Sequence, residues 1–172
     1  MKTFVVILTI AGALALQTTL SGMLAGGAIA VNLVLVAVVY LALAHGPVTG
    51  TLVGMVGGLA QDALAGGIVG LGSMTKTVIG FVVGVLSTQF NLSTTVPRLV
   101  MFAAATVVHQ LVFEGLHALI GGRPFALQWS ATLIQALANA LLGIVAFFIV
   151  EKGPEAAQRR RAGRSSLSQR RY

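Results

Sequence analysis

Cysteine is absent from the 172 residues, which removes disulfides and thiolate chemistry from consideration. Charge is almost as scarce: only 9% of residues are charged and only four are acidic, against 56% apolar residues and a mean hydropathy of +0.94. A water-facing surface needs far more polar area than that, so a soluble domain is excluded and an integral membrane protein is expected. Proline occurs four times and aromatics make up 6%, so long uninterrupted helices are possible. No Ser/His/Asp constellation and no His-Glu-x-x-His pattern occurs, and the expectation is a chain without catalytic residues, metal or cofactor.

What is abundant is glycine, at 21 residues. Glycine weakens helices in water but is common where helices pack closely in a bilayer. One span needs about 20 apolar residues, so the length leaves room for roughly five to seven spans and no further soluble domain. Apolar runs separated by turn residues number six: 4–20, 24–44, 48–69, 75–90, 96–120 and 127–150. The breaks at Ser21-Gly22, His45-Gly46-Pro47, Gly70 to Ser73, Asn91 to Thr95 and Gly121 to Pro124 are rich in helix-ending residues. The expected fold is an all-α bundle of about six transmembrane helices over residues 1–154, followed by a basic disordered tail, 155–172. Met1-Lys2-Thr3, the apolar stretch after it and Ala13-Leu14-Ala15 also imitate a signal peptide, whose removal would leave five spans.

The net charge of +7 does not point to nucleic acid, because Lys152, Arg159, Arg160, Arg161, Arg164, Arg170 and Arg171 all follow the last span. Basic residues at span ends are retained on the cytoplasmic side, which puts the tail, Lys2 and Arg98 inside and Arg123 outside. Trp129 then belongs at the outer interface and Tyr40 near the inner one.

Polar residues inside spans carry the most information, since a mid-bilayer charge costs about 2.5 to 3.5 kcal/mol even on the lenient insertion scale. These are Asp62, Lys76, His109, Glu114 and His117. At about 1.5 Å per residue, Asp62 lies roughly 22 Å from the inner surface and Glu114 at a similar depth, so both fall in the outer half. Lys76 follows the outer turn closely enough for its stem to reach Asp62, giving a structural pair; a proton relay would need a longer chain of such groups. Gln110, Glu114 and His117 are spaced i, i+4 and i+7 on one face. Glu114-x-x-His117 imitates half of a di-iron carboxylate motif, but a single copy favours hydrogen bonding to Gln135 and Asn139 of the sixth run. Gly50, Gly54 and Gly58 repeat every four residues, as do Gly80 and Gly84; with Gly57 they predict close packing of the third and fourth spans. Gly66, Gly67, Gly70 and Gly72 lack the Gly-Lys-Ser/Thr ending of a phosphate loop.

From Val31 to Gly84 the sequence resembles the bacterial rod shape-determining protein MreD family. The resemblance rests on Asn32 eight residues before Tyr40, the glycine run leading to Gln61-Asp62, and Gly67, Gly70 and Leu71 beyond it. It continues through Val112-Phe113-Glu114 and the segment from Arg123-Pro124 to Trp129-Ser130. Val31 stands where family members often have proline. The resemblance implies a non-catalytic scaffold of the cell-elongation complex that builds lateral peptidoglycan in the inner membrane. Its implied partners are the bitopic MreC, the actin-like MreB filament, and a SEDS glycosyltransferase with its class B penicillin-binding protein. The family's fold is similar to the substrate-binding subunit of energy-coupling-factor transporters, so a vitamin-binding transporter subunit is the alternative.

Overall fold

The computed structural model describes residues 2–23, 31–66, 68–90, 92, 94–122 and 124–152. The tail expected over 155–172, Arg123, Gly67 and residues 24–30 of the second run lie outside the described residues. The described chain is helical in six elements: α1 (Lys2–Met23), α2 (Leu33–His45), α3 (Pro47–Ala65), α4 (Leu71–Gln89), α5 (Thr95–Gly121) and α6 (Trp129–Phe147), the last closing in a π turn over Phe148–Lys152.

Among the described residues, three stretches are long and apolar enough to cross a membrane: Leu71–Gln89, Thr95–Gly121 and Trp129–Val150. Helices α3 and α2 fall short of that for separate physical reasons. Helix α3 has the length, at 19 residues, but its glycines, threonines, Gln61 and Asp62 dilute its hydropathy. Helix α2 has 13 residues because its first turn is set by Asn32, whose side chain accepts a hydrogen bond from the N–H of Leu35 at 3.0 Å. It therefore spans only about 20 Å.

Helix α2 is the centre of the bundle. Every residue from Val34 to Val39, with Leu41 and Ala42, is buried, and the helix touches each of the other five. A helix apolar on all sides must be surrounded, and this one is. Inside a bilayer the surrounding lipid is as apolar as leucine, so packing contacts rather than escape from water hold these surfaces together. Leu35, Val39, Ile79, Val83, Phe102 and Phe147 form the larger cluster, and Ile10, Val38, Leu41 and Val53 the smaller one that attaches α1.

The outer faces have the opposite character. Leu52, Met55, Val56 and Leu59 on α3, Val78, Phe81 and Val82 on α4, and Leu133, Leu137 and Leu141 on α6 are all exposed. Apolar surface on that scale has no counterpart on a soluble monomer, and it forms the lipid-facing side of a membrane bundle. At the other end of the size range, α5 has 27 residues and is about 40 Å long, some 10 Å more than a hydrocarbon core.

Two tight joints fix α3. Gly46, with φ 85°, ends α2, and Pro47 opens α3 at a position where its missing N–H costs nothing. At the far end Gly66 (φ 68°) and Gly70 (φ 100°) both take left-handed backbone, turning the chain into α4.

Candidate functional site

The polar side chains buried in this bundle form two groups on either side of the α4–α5 contact. The first is built on the seam between α3 and α4. A Cβ placed on Gly50 would strike the carbonyl of Gly80; on Gly54, the carbonyl of Lys76; on Gly58, the backbone of Ser73; on Gly84, the backbone of Pro47. Backbone meets backbone along the whole hairpin, which only hydrogen side chains permit. Gly57 lies elsewhere: a Cβ placed on it would come 3.3 Å from Val34 Cγ1 and 3.5 Å from Ile10 Cγ2, on α2 and α1.

This close approach carries Asp62, in the last turn of α3, to the start of α4. Its Oδ2 accepts the N–H of Gly70 at 2.9 Å and the N–H of Ser73 at 3.1 Å. Gly70 is the residue that caps α4 and has no side chain to do so. The carboxylate of the preceding helix thus supplies both the cap and the negative charge that a helix N-terminus favours. This is why α4 begins at Leu71 rather than at the expected Thr75. Lys76, one turn into α4 and 2% exposed, has its Nζ beside Gly72, and Asp62 Oδ1 touches the same glycine. The ammonium lies in the field of the Asp62 carboxylate, both groups bordering the space beside the Gly72 Cα, without a direct ion pair between them. The Ser73 hydroxyl donates to the Met55 carbonyl at 2.8 Å and ties the two helices again.

His109, on α5, stands across from Lys76 and is 3% exposed. Neither ring nitrogen has a well-formed hydrogen bond; Gln110 is beside it, and its ring stacks on Phe113 at 5.8 Å. Phe113 in turn meets His117 at 5.9 Å.

Asn139 and Thr106 join α2, α5 and α6. Asn139, 0% exposed, donates to Thr106 Oγ1 at 3.2 Å and accepts the N–H of Asn32 at 3.1 Å. The expected pairing of Asn139 with the Gln110, Glu114 and His117 face is therefore corrected: the asparagine is used by the N–H of Asn32, the capping residue of α2, about 15 Å along α6 from Trp129. Gln17 of α1 serves the same segment, donating to the Val31 carbonyl at 2.9 Å and accepting the Leu33 N–H at 2.7 Å. Thr106 and Gln17 escaped the sequence reading because neither carries charge; the signal available was an uncharged polar residue inside an apolar run.

Glu114 and His117 are not brought to Asp62 and Lys76. They lie in the C-terminal half of α5, where every residue from Gln110 to Ala118 is half-buried. Glu114 lines a cavity of about 300 Å³ with Gln110, Gln128, Ala131 and Thr132. At the opposite end of the bundle Arg98 lies 4.1 Å over the Phe147 ring and donates to the Leu92 carbonyl at 2.7 Å, while Tyr40 packs edge-on against the same ring. The chemistry of the first group is that of a joint: an oxygen engaged by two backbone N–H groups is an acceptor already in use, not a base poised toward a substrate.

The family model for rod shape-determining protein MreD matches residues 1–152, which takes in all six helices. No curated protein and no solved structure matches the chain.

Proposed function

We propose, from the premise that the chain belongs to the rod shape-determining protein MreD family, that it is a non-catalytic scaffold of the cell-elongation complex. Membership makes it a membrane protein of cell-shape determination. The finer reading is that it holds MreC, the MreB filament and a SEDS glycosyltransferase with its class B penicillin-binding protein in one assembly, the last two doing the chemistry of lateral peptidoglycan synthesis. The observation that carries it is the match across all six helices. The interior supports it: Asp62 is engaged by backbone, Asn139 by Thr106 and Asn32, and the α3–α4 seam by glycine contacts. Such an interior suits a body of fixed shape better than a solute chamber.

In this reading the chain crosses the inner membrane six times with both termini in the cytoplasm. The likeness to the substrate-binding subunit of energy-coupling-factor transporters belongs to the same proposal at the level of fold, and the basic tail over 155–172 is its cytoplasmic flank.

Copurification of the full chain from native membranes tests this. Recovery of MreC with the glycosyltransferase and penicillin-binding protein is the expected result. Recovery of an ATPase module and a bound vitamin, with none of the elongation proteins, would overturn it.

A further inference from the structure

Glu114 is an acidic side chain in the outer part of a membrane helix, and among the described residues it makes no hydrogen bond or ion pair. An intramembrane carboxylate without a partner is expensive, and in membrane proteins such groups mark places where a cation is met. The cavity it lines is set between α5 and the start of α6, with the amides of Gln110 and Gln128 and the hydroxyl of Thr132 on its walls. At about 300 Å³ it is far larger than the roughly 30 Å³ share of one water, so a single ammonium group would leave most of it unfilled.

Depth narrows the choice of occupant. Arg98 is anchored at the inner end, and Glu114 is sixteen residues further along α5, or about 24 Å of a hydrocarbon core of about 30 Å. Trp129, the single tryptophan, is the first residue of α6, next in sequence to the lining residue Gln128, and is 58% exposed, as an interfacial ring would be. The notch therefore opens at the level where lipid headgroups begin. Its inventory also matches a zwitterion: the carboxylate accepts from an ammonium, while carboxamides donate to a phosphate ester, which a lone lysine side chain would not use.

We infer that this notch seats the headgroup of an outer-leaflet aminophospholipid, with its ammonium on Glu114 and its phosphate toward Gln110 and Gln128. The inference rests on the membrane reading and orientation proposed above and not on the chain's place in the elongation complex. Trp129 supplies the probe. The full-length protein is placed in nanodiscs of phosphatidylglycerol containing graded phosphatidylethanolamine, with a spin-label quencher high on the acyl chain of one lipid or the other. Quenching should show phosphatidylethanolamine enriched at Trp129 by about fivefold, the scale of one charge contact near a membrane surface. Glu114→Gln should abolish the enrichment and Glu114→Asp should retain most of it.

Equal quenching by both lipids, or an enrichment that survives Glu114→Gln, overturns the inference. Two such outcomes would name another occupant. Indifferent wild type with enrichment appearing in Arg123→Gln would assign the notch to the chain's own arginine. Indifferent wild type with a membrane protein lost from the Glu114→Gln complex would assign it to a partner's basic side chain. Should Glu114→Gln yield no folded protein, native mass spectrometry of the wild type from equimolar lipids decides: preferential retention of phosphatidylethanolamine supports the seat and equal retention overturns it.

Discussion

Replacing Asp62 by alanine removes two things at once, and the structure allows them to be separated. The first is the cap of α4, two backbone N–H groups at 2.9 and 3.1 Å that would be left without an acceptor in a buried turn. Loss of a cap costs about 0.5 to 2 kcal/mol, and bonds to a charged acceptor sit at the upper end of that range. The second is the counter-charge to Lys76, which is 2% exposed and whose nearest carboxylate is Asp62 across Gly72. Stranding a buried charge costs about 3 to 5 kcal/mol when the pair is dehydrated, and the lack of a direct ion pair between the two groups places this one toward the lower figure. Asp62→Ala should therefore destabilise by about 4 to 5 kcal/mol in all. Asp62→Asn keeps one oxygen that can accept both N–H groups, so it should lose only the charge contribution and remain the more stable of the two variants. Adding Lys76→Met to Asp62→Ala should recover part of the loss. Unfolding midpoints in detergent give the ranking, and amide exchange at Gly70 and Ser73 reports the cap directly. The reasoning fails on its charge half if the double variant is no more stable than Asp62→Ala, and on its capping half if Asp62→Asn and Asp62→Ala unfold alike.

Gly54→Ala and Gly80→Ala drive a methyl into the facing backbone and should each cost about 1 to 3 kcal/mol or prevent assembly, whereas Gly115→Ala, with open space around its Cα, should leave the thermal midpoint unchanged. A midpoint for Gly54→Ala equal to that of the wild type would contradict the seam. Asn139→Leu leaves the N–H of Asn32 without its acceptor and should cost about 1 to 3 kcal/mol, with faster amide exchange at Asn32 as the local signature. Reporter fusions after Arg123 and after Tyr172 should report opposite sides of the membrane; the same side for both would refute the six-crossing topology.

How far the sequence could be read depended on whether a feature is local. The six helices were visible as apolar runs because each is one continuous segment, and α5 and α6 begin and end within two or three residues of those runs. Where a boundary is set by a residue distant in sequence, the pattern misled. The start of α4 is fixed by Asp62, eight residues before Gly70, and hydropathy alone moved it to Thr75. The start of α2 is fixed by Asn32 together with Asn139, which lies 107 residues away. Spacing likewise put Gln110, Glu114 and His117 on one face, but only the packed structure shows Glu114 in the cavity beside α6 and His117 on Phe113 instead. Glycine spacing marked a face on each of two helices, and the bend at Gly66 and Gly70 is what opposes those faces.

These pieces divide the bundle by stiffness. Helices α3 and α4 meet through backbone contacts at Gly50, Gly54, Gly58, Gly80 and Gly84 and through the Asp62 cap, and α2 packs its Ala42 and Val38 side chains on the same glycines, so sliding one past another would break these contacts. Helix α1 has a looser attachment: Ile10 seated near Gly57, and the amide of Gln17 on the segment before α2. The C-terminal half of α5 contributes no buried residue beyond His109. Thermal opening takes the least-buried elements first, so amide exchange should rise from α2–α4 to the C-terminal half of α5 and to α1. A scaffold needs this gradient, since a rigid block holds geometry while a less committed face can be completed by a neighbour. Uniform protection across all six helices would remove the distinction.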